Sequence, residues 1–101
     1  MNKVRITVVK KVFNEDLVKE YAIDGFGECT AQEVGQQWIT TGDKPQGLCM
    51  GAWSSMYPEV YAMVHGTPDW YDHGWLKENS SAMVACHDGL RPVVYLLEIA
   101  E

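Results

Sequence analysis

The stretch Cys86-His87-Asp88-Gly89-Leu90-Arg91 sets a thiol, an imidazole, a carboxylate and a guanidinium almost side by side, and Pro92 follows it. A thiol and an imidazole can serve as nucleophile and base. A planar guanidinium can hold a carboxylate ligand through a fork of donors. Two more thiols, Cys29 and Cys49, complete the cysteine complement of the chain.

Each group also has a plainer reading. Cys86 and His87 stand at a strand end, where neighbouring side chains point to opposite faces. They are therefore expected to be alternatives rather than partners. Either a base for Cys86 would come from His65 or His73, or His87 would serve a different partner. Asp88-Gly89 is a turn signal, and Pro92 restricts Arg91 to an extended backbone. Cys49 sits near the start of a buried helix, where amides favour a thiolate, or it simply packs against Trp53 one turn on. The candidate catalytic groups are thus Cys86, Cys49 and His87. Arg91 and Asp88 would orient a ligand, and Trp53 and Trp70 would wall its pocket, aromatic walls around a few polar groups being the usual make-up of a small-ligand site.

The alternative use of the thiols is a metal. Cys29, Cys49 and Cys86 would be the ligands, with a histidine or water as the fourth, and zinc or iron as the ion. The spacing does not favour this. Structural zinc sites draw thiolates in close pairs, and no CxxC or CxxH pair is present. Buried free cysteines usually pack as small hydrophobes, but Cys29 lies in a polar loop, where a core cysteine has no reason to be.

The elements that would position these groups follow from periodicity. Val4, Ile6 and Val8 alternate with polar residues and predict a half-buried strand over 3–12. Asn14 reads as an N-cap, with Glu15 and Asp16 at the positive end of the helix dipole. Phe13 and Val18 have staple spacing. Leu17, Val18 and Tyr21 give an apolar stripe, so a helix is expected over 15–23, stopped by Gly25. A second strand is expected over 34–40. The longest helix candidate is 47–65, where Leu48, Ala52, Met56, Val60 and Val64 recur every fourth residue. Pro58 conflicts with an unbroken helix, so a kink or a new helix starting there is expected. Residues 82–87 and 92–99 then form a hairpin around 88–91. Together these predict one α+β domain over 1–101, with a small, mostly antiparallel sheet of about four strands and two main helices.

Composition bounds the partners. Eight basic residues against 14 acidic give a net charge of −6, which leaves little for a phosphate-binding face, so nucleic acid is not expected. No apolar run approaches the ~20 residues of a membrane span, and charges at Arg5, Lys10 and Lys11 interrupt any signal-peptide core. The expectation is a cytoplasmic protein. An odd cysteine count in a reducing compartment argues against a disulfide framework.

Gly47-Leu48-Cys49 with Ala52-Trp53, and Cys86-x-Asp88-Gly89-Leu90-Arg91-Pro92-Val93, resemble the signatures of a family of small proteins, about 100 residues long, common in anaerobic bacteria and archaea. The resemblance extends along nearly the whole chain. It includes a cysteine matching Cys29, a glycine matching Gly35 and a tryptophan matching Trp70. Thr30 stands where the family often has proline, and Pro58 where it usually has none. The resemblance implies that all three cysteines belong to the family pattern. The anaerobic setting it implies suits thiolate chemistry. It implies no particular activity.

Three functions follow from the residues. The first is a pocket for a small anionic or carbonyl-bearing molecule, binding or catalytic. The second is the thiolate metal or redox site. The third is a non-catalytic homo-oligomer or interaction subunit whose aromatic loop 67–76 forms the contact.

Overall fold

The computed structural model describes residues 1–67 and 74–100. Six elements run in the order β1 (Lys3–Lys11), α1 (Glu15–Tyr21), β2 (Gln37–Thr40), α2 (Met50–Val64), β3 (Ala82–Ala85) and β4 (Val93–Ala100). The strands form a single sheet in the order β2-β1-β4-β3, with every neighbouring pair antiparallel. This is the α+β architecture with a C-terminal hairpin that the residue pattern predicts.

Register explains the core. β1 and β4 pair Ile6 with Leu97 and Val8 with Tyr95, so the alternating apolar residues of both central strands fall on one face. Val4, Ile6, Val8, Val93, Tyr95 and Leu97 are all buried there. α2 covers this face with Ala52, Met56, Val60, Met63 and Val64, also buried. Full burial of side chains of this size contributes about 1.5–3 kcal/mol each. α2 is therefore held by the sheet, and its N-terminal end is held beside the start of β4. No helix among the described residues is long and apolar enough to cross a membrane.

Several boundaries differ from expectation, each for a local reason. α1 ends at Tyr21 because Ala22 is already extended, so Gly25 belongs to the following turn. None of its residues is buried, and Leu17 and Tyr21 face solvent. Asn14 occupies the N-cap position, but its amide donates to the Gly89 carbonyl at 2.7 Å instead of capping the helix. β2 starts at Gln37, because Gly35 takes a positive φ and a turn precedes the strand. α2 starts at Met50, because Gly47 has φ 91 and Cys49 is extended. It continues through Pro58 to Val64 as one helix, so no second helix begins there. Pro58 and Ser54 are both on the exposed side, where water can take up the carbonyl that proline leaves without a donor. Trp70, His73 and most of the aromatic loop 67–76 lie outside the described residues.

Candidate functional site

β3 stops at Ala85, and that boundary decides the geometry of the site. Cys86 and His87 fall in the connection to β4, where the alternation of a strand no longer applies. Cys86 stays tied to β4: its N–H donates to the Val93 carbonyl at 3.0 Å, and its sulfur accepts the Val93 N–H at 3.3 Å. His87 is exposed, yet both residues line the same depression. The expectation that they point apart is corrected here.

That depression has a volume of about 230 Å³ and is lined by Cys29, Ala31, Cys49, Gly51, Cys86, His87, Asp88 and Arg91. It gathers three separate segments: the loop before β2, the start of α2, and the β3–β4 connection. All three cysteines are free and all three reach it. A second depression, lined by Met1, Asn2, Val64, His65 and Gly66, is of similar size but holds no such cluster. His65 stands at that far end of α2, its ring 4.4 Å from that of Tyr61. His87 is thus the described histidine placed to serve a thiol of the main pocket.

Two residues the sequence reading missed hold the pocket together. Gln32 is only 1% exposed. Its Oε1 accepts the Cys49 N–H at 3.2 Å and the Tyr95 hydroxyl at 3.4 Å. Its Nε2 donates to the Ala31 and Gly47 carbonyls. A primary amide offers two donors and two acceptor lone pairs, so the group is fully used and its orientation is determined. One side chain thereby joins the Cys29 loop, the α2 start and β4. Tyr95 is buried on the core face of β4. Burial pushes its hydroxyl well above the usual phenol range, and repulsion from Cys86, Cys49 and Cys29 adds to the effect. Tyr95 is therefore a neutral donor. The signal for it was a tyrosine in an otherwise aliphatic row, since a buried phenol needs a partner. Nothing in the sequence marked Gln32.

Asp88 and Arg91 are more committed than expected. Asp88 Oδ1 accepts the Leu90 N–H at 2.9 Å and the Arg91 N–H at 3.3 Å. The Leu90 amide is the main reason its carboxyl lies below the ordinary value of 3.8; burial opposes the shift, and the Arg91 amide and guanidinium add to it. Arg91 Nε lies 3.4 Å from Asp88 Oδ2, Nη1 donates to the Gly27 carbonyl at 3.1 Å, and Cζ sits 4.4 Å over the Phe26 ring. Two of the five guanidinium donors are spent on these contacts. The side chain is held in place on the wall of the depression.

Cys49 is the N-cap residue of α2, with no side-chain cap bond and no carboxylate in the first turn. The first-turn amides and the positive end of the helix dipole thus remain available at the pocket. Trp53 does not wall the pocket: its ring packs against the core and lies 5.4 Å from that of Tyr57.

The three thiols share a wall but not a coordination sphere. Among the described residues, no three histidine, cysteine, aspartate or glutamate side chains stand where one metal ion could be held. Zinc would draw thiolates to about 2.3 Å from a common point.

No family model, curated protein or solved structure matches this chain.

Proposed function

We propose that this protein binds a small molecule carrying an anionic group and a carbonyl, with the cysteine thiols facing the carbonyl and Arg91 facing the anion. The observation that carries the reading is the gathering of Cys29, Cys49, Cys86, His87, Asp88 and Arg91 around one depression of about 230 Å³. At roughly 30 Å³ per water, this is room for seven or eight waters, which suits a compact organic molecule rather than a bare ion. The net charge of −6 works against anions at long range. Held Arg91 and the uncapped turn of α2 supply local positive charge.

The test is thermal stability against a panel of small oxo acids, glyoxylate and pyruvate among them, beside the corresponding alcohols and amides. An oxo acid at a hundredfold excess over its Kd should stabilise the fold by about 2.7 kcal/mol. Arg91→Lys keeps the charge but loses the fork, and should weaken binding about tenfold, the equivalent of one good hydrogen bond to a charged group. A panel that leaves the melting temperature of the wild-type protein unchanged defeats the reading.

A further inference from the structure

We propose that Cys49 and His87 form a nucleophile and proton-acceptor pair that adds reversibly to a small aldehyde bearing a carboxylate, and that Gly51 is the notch that lets the two meet. This rests on the reading of the pocket given above and names its substrate class. A Cβ built on Gly51 would stand 3.2 Å from His87 Nε2, 3.6 Å from His87 Cε1 and 3.8 Å from Cys49 Sγ. Both reactive atoms therefore border the bare face of one residue, the imidazole nitrogen tightly and the sulfur at ordinary contact distance. Gly51 lies in the first turn of α2 with an ordinary helical backbone, so its φ does not call for glycine. Glycine is a poor helix former. What it provides here is space: the imidazole nitrogen stands closer to the Gly51 backbone than the Cβ of any other residue would comfortably allow.

The step balances without an external reagent. The Cys49 thiol gives its proton to His87 Nε2, and the sulfur bonds to the aldehyde carbon. The π pair of the carbonyl moves onto its oxygen, which takes the proton back from the imidazolium. The product is a thiohemiacetal; nothing is oxidised or reduced and no group leaves. Arg91, on the same wall, takes the carboxylate. His87 acts on the proton alone, so it governs the rate of addition and not its equilibrium.

The experiment uses glyoxylate labelled with ¹³C at the aldehyde carbon and follows the thiohemiacetal resonance, with exchange rates from magnetisation transfer. Wild-type protein should give the adduct and Cys49→Ser should give none. His87→Gln should slow exchange roughly a hundredfold, the lower range of general acid–base effects, with the equilibrium extent of adduct unchanged. Gly51→Ala should slow exchange at least tenfold. Its melting temperature should hold or rise, because alanine favours the helix and the exposed imidazole can swing away. An adduct that persists in Cys49→Ser overturns the proposal, as does a Gly51→Ala protein that exchanges at the wild-type rate. Glyoxylate that raises the melting temperature without forming any thiohemiacetal overturns the pair and leaves the ligand class standing. Glyoxylate that does neither removes both.

Discussion

Replacing Gln32 by methionine keeps the length and volume of the side chain and deletes its amide. Four hydrogen-bonding groups lose their partner: the Cys49 N–H, the Tyr95 hydroxyl, and the Ala31 and Gly47 carbonyls. They do not suffer equally. Ala31, Gly47 and Cys49 are exposed residues, so water can take over their bonds at a few tenths of a kcal/mol to about 1 kcal/mol each. Tyr95 is 1% exposed, and its orphaned hydroxyl bears the desolvation penalty of about 1–3 kcal/mol. The expected loss is about 2–6 kcal/mol. For a domain of this size that lowers the melting temperature on the order of 10 °C or more. A double-mutant cycle isolates the cause. Tyr95→Phe in the wild type removes one satisfied hydrogen bond and should destabilise by about 1 kcal/mol. In the Gln32→Met background the same change removes an orphan and should stabilise by about 1 kcal/mol. Chemical denaturation of the four proteins measures both, and the coupling of about 2 kcal/mol is large for a contacting pair. Tyr95→Phe destabilising both backgrounds equally would refute the reasoning.

Two further outcomes follow from single residues. The Asp88 carboxyl is held below its ordinary value of 3.8 in the folded chain. Its contribution to stability is therefore fully present above that value and is lost as pH falls through the folded-state value. Asp88→Asn should make melting temperature less dependent on pH below about pH 4; an unchanged acid limb in the variant would count against this role. Pro58→Ala restores an amide donor inside α2 and should stabilise by about 2 kcal/mol. That figure is the ~3 kcal/mol helix cost of proline less the restriction it places on the unfolded chain. Calorimetry showing a lower melting temperature for the alanine variant would contradict it.

What was legible in the sequence was what depends on neighbours in the chain. The alternation of Val4, Ile6 and Val8 and the four-residue recurrence from Ala52 to Val64 determined which faces are buried, because burial follows the period of the backbone. The turn at Asp88-Gly89 and the constraint of Pro92 on Arg91 are local as well. From these come the α+β class, the C-terminal hairpin and the presence of Arg91 at the site. Boundaries were less legible. The ends of α1 and α2 depend on the single extended residues Ala22 and Cys49, which propensity does not single out.

The meeting of Cys29, Cys49 and Cys86 was not legible, because their sequence spacing carries no information about three segments brought together by packing. The parting of Cys86 and His87 was misread for the same reason. The rule of alternation holds only while the ladder lasts, and the ladder ends at Ala85 because its pairing with β4 ends there. Gln32 looked like any loop residue; only the tertiary fold buries it and brings the Gly47 carbonyl, the Cys49 N–H and the Tyr95 hydroxyl to its amide. The sequence by itself determined the faces, the charge balance and the inventory of reactive groups. The tertiary structure decided which of those groups share a pocket, since that depends on register, strand length and the space left by one missing Cβ.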